Sequence, residues 1–389
     1  MSDGSRVAVT GVGVVSPFGW GTDVFWNGLV AGTSALTPIE RFTPAAAGRL
    51  AGQVPARPTN EIAQSAVGRR MDWTSLMLLG ACRAALADAS LAVEALDCRR
   101  TSLAVGSAYG NLQETATFLD RLFARGTGNP LLFPNMVFNA PLAYVSIELG
   151  IRGETTMLSM LEVSGEAALG WGVDAIAAGR ADVCLAGGVD ELGQVLHRVL
   201  EDGGMLARER PKPYAADADG VAAGEGAAVL VLEPLDAARA RGARVYACVC
   251  APLARTVPAP VHGWPHDAAM VAERLRPVLS DAGIVFAAGS GDPVRDALEG
   301  DAIAQVTSAP VTAVRGAIGD FGAAGALAAA AAVRAVSSRR IPPTLGNGPT
   351  APAGLDVVRG AARTLPTGVA VVTGLARGGF VRALRFEAP

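Results

Sequence analysis

The chain has 389 residues, half of them hydrophobic, with 36 acidic against 33 basic side chains and a net charge of −3. That length fits one large or two medium domains, and the mixed charges leave no basic stripe, which argues against nucleic acid as a partner. Aromatics make up only 5%, so Ala, Val and Leu must fill the core, which suits a layered α/β protein. The five cysteines (Cys82, Cys98, Cys184, Cys248, Cys250) are odd in number and include no CxxC, which points to reduced thiols and a cytoplasmic protein. The longest apolar run, FGAAGALAAAAAV (321–333), is too short to span a bilayer, so no membrane association is expected.

In chain order, VAVTGVGVV (7–15) reads as a buried first strand, followed by a loop leading into a helix. MDWTSLMLLGACRAALADASL (71–91) has helical spacing, and TSLAVGSAYG (101–110) is a strand ending in a glycine turn. Asn111 and Glu114 then form an N-x-x-E capping box, and the helix they open carries Leu112, Thr115, Leu119 and Phe123 on or near one face until Gly126 ends it. An irregular segment (129–139), a helix at about 140–149 and a strand TTMLSML (155–161) come next. A helix running to about Gly179, a strand (182–188) and a strand–helix–strand unit (226–253) follow. A helix near 267–282, strands at 285–289 and 311–314, a helix from about Phe321 and a closing strand pair (369–374, 381–386) complete an α/β alternation with no linker between separable domains.

Several motifs fail on inspection. GVGVVS (11–16) lacks the third glycine of a dinucleotide loop and runs into Pro17. DADG (217–220) has too few acids for a calcium loop. Cys248 and Cys250 share a strand face by the period of two and read as core. His262 and His266 sit in a Pro-rich loop without a triad partner, and no metal-ligand spacing occurs.

MLEVSGEAALG (160–170) reads as a strand end, a sharp turn and a helix start, with Glu162 at the turn. Together with VAVTGVGVVSPFG (7–19), RFTPAAAGRLAGQV (41–54), NAPLAYVSIELGIRG (139–153), GRADVCLAGGVDE (179–191), GSGDP (289–293), GAAGAL (322–327) and RIPPTLGN (340–347), in this order over nearly the full length, it makes the chain resemble a β-ketoacyl synthase. The resemblance implies a thiolase fold: two similar halves, 1–245 and 246–389, in a five-layer α-β-α-β-α arrangement. It also implies a decarboxylative Claisen condensation run by a Cys at a helix N-terminus, two His residues and a supporting Lys.

Carried over position by position, that set is missing. The Cys falls on Glu162, fixed by Ser164-Gly165 and by the interval to Gly179-Arg180-Ala181-Asp182. The first His falls on Ala288, the second on Asp320 and the Lys on Arg315. The gating Phe of the C-terminal loop is replaced within TGLARGG (373–379), where Leu375 and Arg377 stand. A carboxylate at a helix N-terminus is stabilised by about 0.3–1 kcal/mol, and Glu162 is expected to cap amides and fill the emptied pocket. Each lost oxyanion donor costs about 2.7–4 kcal/mol of transition-state stabilisation, so condensation by this chain alone is not expected. Ketosynthase-like decarboxylases carry Gln at the Cys position but keep the histidines, which this chain does not.

Such a chain is most similar to the chain-length factor (ketosynthase β) of type II polyketide synthases. This resemblance implies a heterodimer with a catalytic ketosynthase α subunit and an acyl carrier protein that delivers phosphopantetheine-bound acyl chains, with no cofactor on this chain. It implies a tunnel wall from Leu112, Thr115 and Leu119, with Leu132 and Met136 reaching toward the partner's pocket; the competing reading is that all five are core. An independent homodimeric acyltransferase or decarboxylase, or a non-enzymatic acyl-binding scaffold, are the alternatives.

Overall fold

The computed structural model describes residues 6–44, 49–250, 252–350 and 352–389. Residues 45–48 of the RFTPAAAGRLAGQV segment, and Ala251 of the 226–253 unit, lie outside the described residues.

The strands that carry the fold are β1 (Val7–Ser16), β2 (Thr101–Gly106), β3 (Thr155–Leu158), β4 (Val183–Asp190), β5 (Gly226–Pro234), β6 (Ala247–Val249), β7 (Ile284–Phe286), β8 (Val311–Thr312), β9 (Val369–Ala376) and β10 (Phe380–Glu387). They form one path in the order β8-β7-β9-β10-β6-β1-β5-β4-β2-β3. Each half repeats one topology: β3-β2-β4-β5-β1 on one side and β8-β7-β9-β10-β6 on the other. The outer trio of each, β3-β2-β4 and β8-β7-β9, is parallel and the remaining pairings antiparallel. The halves join where β1 pairs antiparallel with β6, Val7 against Val249 and Val9 against Ala247. All ten residues of β1 are buried, as a strand covered on both faces requires.

The principal helices are α1 (Trp73–Asp88), α2 (Leu112–Arg125), α3 (Ala140–Glu148), α4 (Ser164–Ala177), α5 (Gln194–Asp202), α6 (Ala268–Leu279), α7 (Pro293–Ala304) and α8 (Ala324–Ser338). Helices α4 and α8 form the buried middle of the molecule. The Ala-rich α8 buries nearly every side chain. At Gly165 an added Cβ would stand 2.7 Å from the Ala326 nitrogen, so the lack of a side chain there lets the two helices touch backbone to backbone.

Most sequence-predicted elements are present within a few residues, and two expectations are corrected. The strand read as 155–161 stops at Leu158, because Leu161 takes a left-handed φ of 52° and opens a 3-10 turn, Leu161–Val163. The Asn111/Glu114 capping box does not form: no side chain of the box caps α2. The Asn111 amide instead donates to Asp72 Oδ2 at 2.5 Å and to the Asn135 carbonyl at 2.7 Å, and the Gln113 N–H of the first turn goes to Glu191 Oε1 at 3.1 Å. Helix α7, unread in the sequence, is opened by Asp292, which accepts from the N–H groups of Val294 and Arg295.

Candidate functional site

Strand β3 leads into a turn that ends at α4. Leu161 holds a conformation that few non-glycine residues adopt. Ser164 fixes the turn by accepting from the Met160 N–H (3.0 Å) and donating to the Leu161 carbonyl (2.7 Å). Glu162 therefore sits one turn ahead of α4 rather than on it. It does not cap the helix amides as expected. Its carboxylate turns to the β9–β10 hairpin, where Oε2 accepts from the Arg377 backbone N–H at 3.2 Å and Oε1 pairs with the Arg377 guanidinium.

Arg377 is held from several sides. Its guanidinium lies 4.7 Å over the Trp264 ring, its Nη2 is 3.6 Å from Asp292, and the same nitrogen contacts Met205 Sδ at 3.5 Å. The hairpin turn that presents it uses Gly378 and Gly379 at φ 77° and 84°, a conformation natural to glycine. The turn between β9 and β10 thus supplies the counter-charge of Glu162. Leu375, by contrast, is buried in the core.

A second ionic group centres on Asp320. Asp320 Oδ2 lies 2.6 Å from Arg295 Nη2, and Oδ1 lies 2.9 Å from Arg315 Nε. Burial by itself would raise the Asp320 carboxyl, but Arg295 and Arg315 outweigh it and hold the group below its usual range. Burial likewise opposes the charge on Arg295, and Asp320, Asp296 and Asp292 more than offset it. Trp264 also covers Arg295, 5.6 Å from its ring centre. Ala288 is buried, and its N–H is bonded to Glu299 at about 3 Å; its methyl offers no donor to a developing oxyanion. Burial, with Glu162, Asp190 and Asp320, pushes the nearby Tyr109 phenol well up.

The space left between these groups is about 40 Å³, lined among others by Tyr109, Glu162, Trp264, Arg295, Asp320 and Arg377. That holds a few waters and no acyl group. No cysteine or histidine lines it among the described residues, and His262 and His266 are exposed. Of the sequence candidates, Glu162 and Asp320 line this space and Arg315 is bonded to Asp320, whereas Ala288 does not line it; Trp264 and Arg295 were missed, and Arg377 was seen only as a lost Phe. The available signal was charge: two acids placed at buried positions demand cations nearby.

The five tunnel candidates lie elsewhere, on α2 and on the 3-10 turn Phe133–Met136 beyond it. Leu112, Thr115, Leu132 and Met136 are half-buried and Leu119 is 38% exposed. None belongs to the core of this chain, so the core reading of these positions fails.

The β-ketoacyl synthase N-terminal domain matches residues 4–238 and the C-terminal domain residues 268–347. The chain belongs to the β-ketoacyl synthase family. The α subunit of the tetracenomycin polyketide synthase of Streptomyces glaucescens is 31% identical, covering 99% of this chain and 97% of its own. The β subunit of the same synthase is 29% identical over 99% and 98%. Among solved structures, the ishigamide ketosynthase/chain length factor superposes with a TM-score of 0.92 at 28% identity, covering 99% of each chain. A β-ketoacyl synthase from Burkholderia phymatum gives 0.91 at 26%, also over 99% of each. The chain has the thiolase fold and is similar to both the α and the β subunit of one type II polyketide synthase. Overall identity does not separate α from β, so that distinction rests on the residues at the site. Among the described residues no helix is long and apolar enough to cross a membrane.

Proposed function

We propose that this chain is the non-catalytic, chain-length-factor-like subunit of a type II ketosynthase complex, paired with a catalytic ketosynthase that carries the Cys and both His residues. The observation that carries this reading is the pairing of Glu162 with Arg377 and of Asp320 with Arg295 and Arg315 at the condensation centre. A thioester exchange needs a thiolate and a preorganised oxyanion site. Here the nucleophile position is a salt-bridged carboxylate and the oxyanion positions are a methyl group and a second carboxylate. Acyl chains on the phosphopantetheine of a carrier protein would react at the partner's cysteine, with no cofactor held by this chain.

Support for a partner comes from the surface beside the site. Strand β3 ends the sheet path and is only partly covered, and an open strand edge invites pairing. Leu161 just beyond it and Ile147 on α3, which packs against it, show apolar surface, and elsewhere on the chain Phe123 is 82% exposed, Leu131 74% and Phe133 59%. Exposed apolar surface of this kind marks an interaction face, and obligate interfaces bury about 2,000–5,000 Å². Pairing of β3 across a pseudo-two-fold axis would cover it.

Two measurements test the reading. Intact-protein mass spectrometry after incubation with malonyl- and acyl-carrier proteins should find no acyl-enzyme; a stable adduct at Glu162 or Ser164 would overturn it. Co-expression with candidate ketosynthases should yield a heterodimer, and a stable, monodisperse homodimer formed without any partner would count against it.

A further inference from the structure

Helix α2 poses a mechanical question. It has 14 residues and buries none of them, so no core packing fixes its position. The helix and the segment after it form one arm, 112–138, closed on itself by the edge-to-face contact of Phe118 with Phe133, 6.2 Å between ring centres. Its tip is apolar and exposed, as Phe123, Leu131 and Phe133 show. Its base is polar and buried. Asn111, Asn135, Asp72 and Glu191 are all buried there, on four different segments.

Those four side chains tie both ends of the arm to the body. Asn111 donates its amide protons to Asp72 Oδ2 and to the Asn135 carbonyl, so the start of α2 is bonded directly to the far end of the arm. Asn135 in turn donates to the Arg70 carbonyl at 3.2 Å and accepts from the Tyr144 hydroxyl at 2.7 Å. Asp72 is itself fixed by the Ser75 N–H at 2.6 Å, at the N-terminus of α1. Glu191, just beyond β4, takes the Gln113 N–H, and Gln113 Oε1 accepts from the Gln194 N–H at 2.9 Å. Buried hydrogen bonds of this kind resist change because breaking one strands a desolvated partner, whereas exposed apolar side chains at the tip resist nothing until something covers them.

We infer that Asn111, Asn135, Asp72 and Glu191 form a buried polar hinge that sets the position of the 112–138 arm. They are positioning residues for the wall built by Leu112, Thr115, Leu119, Leu132 and Met136. They touch no acyl chain themselves; they act through the arm. Burial, with Asp72 close by, pushes the Glu191 carboxyl up to about 8, so near neutrality this group is an uncharged acid. An amide keeps its acceptor oxygen and its neutral charge. Glu191→Gln should therefore preserve the hinge, while Glu191→Ala should not.

Only the product readout rests on the tunnel proposal; amide exchange does not. Hydrogen exchange of the full chain, in whatever assembly it is purified, should show peptides from 112–138 exchanging at least about tenfold faster in Asn111→Ala and Glu191→Ala, with β1 and α8 unchanged. Glu191→Gln should stay within about twofold of the parent. Asn135→Ser, which breaks the Arg70 and Tyr144 contacts, is the second variant if Asn111→Ala does not fold. Unchanged exchange in Asn111→Ala or in its substitute, or a Glu191→Gln as loose as Glu191→Ala, would overturn the hinge. In a reconstituted synthase the loosened variants should broaden the distribution of product lengths. Raised exchange with an unchanged product leaves the hinge standing and defeats the tunnel instead.

Discussion

Glu162 and Arg377 stand 215 positions apart in the sequence and meet at the centre of the molecule, the carboxylate of one paired with the guanidinium and the backbone N–H of the other. One comes from the turn between β3 and α4 and the other from the turn between the last two strands. Glu162 depends on its partner, while Arg377 also has Trp264 and Asp292 beside it. A lone carboxylate there would be desolvated and unpaired, and a lone guanidinium would face Asp292 from 3.6 Å. The two side chains are 12% and 27% exposed, so the cost of stranding one falls below the 3–5 kcal/mol of a fully buried pair. We expect Glu162→Ala and Arg377→Ala each to destabilise by about 1–3 kcal/mol, and the double variant to cost clearly less than their sum. A double-mutant cycle by urea unfolding measures this; simple additivity would show that the pair carries no coupling.

Restoring the thiol should not restore the reaction. In Glu162→Cys the new thiol sits beside Arg377, and a neighbouring cation favours the thiolate, so iodoacetamide should label it. Condensation should remain absent, because Ala288 and Asp320 still supply no oxyanion donor, and each missing donor costs about 10²–10³ in rate. Malonyl condensation by this single variant at a rate near that of an ordinary ketosynthase would refute this account of the site.

The sequence carried the α/β alternation because the periodicities are local: Val7–Val15 and the Ala-rich run from Phe321 declare themselves within a dozen residues. Its spacing to neighbouring motifs pointed to Glu162 and Asp320, and both line one space between the elements. It did not carry what those residues meet. Arg377 and Arg295 are distant in sequence from Glu162 and Asp320, and no local pattern announces an ion pair. The capping box failed for a related reason. Asn111 and Glu114 have the right spacing, yet Asp72 and Asn135, brought in by tertiary packing, compete for the Asn111 amide and win. Leu161 turned the end of β3 aside by a backbone conformation that its side chain does not favour.

Glu166 gives a pH prediction. It lies on α4, fully buried, with neither carboxyl oxygen hydrogen-bonded among the described residues. Its carboxyl fits between Gly325 of α8 and Gly374 of β9, where an added Cβ would come within 2.0 and 2.5 Å of it. Burial raises this group from 4.5 to about 7, against the opposing pull of Arg315. The folded state therefore holds its proton over a range in which the unfolded state has lost it, and stability falls as pH rises from about 4.5 to about 7. Each pKa unit is worth about 1.4 kcal/mol, so the full loss is about 3 kcal/mol and is complete above pH 7. Glu166→Gln removes this dependence. Its advantage over the parent should grow across that window and then level off. Urea midpoints at about pH 5, 6 and 8 test it; a constant difference would show that Glu166 does not titrate there.

The last prediction concerns the arm's inner wall. Leu112, Thr115 and Leu119 have i, i+3, i+7 spacing, which puts them along one face of α2 over about 10 Å of helix axis. Thr115 turns its hydroxyl back to the Asn111 carbonyl at 3.1 Å, so the methyl is what it offers outward. None of the three is buried by this chain, and all are small or aliphatic, which leaves room that a larger side chain would take. Replacing Leu112 or Thr115 with Trp enlarges a surface that no core contact constrains, so the fold and the heterodimer should survive. If the growing chain passes along this face, the added ring blocks its path and the product of the reconstituted synthase should shorten, more for Thr115→Trp because the volume added is greater. Product analysis by mass spectrometry, with the heterodimer checked by gel filtration, decides the matter. Full-length product at normal turnover from both variants would mean that the growing chain runs along some other surface of the complex.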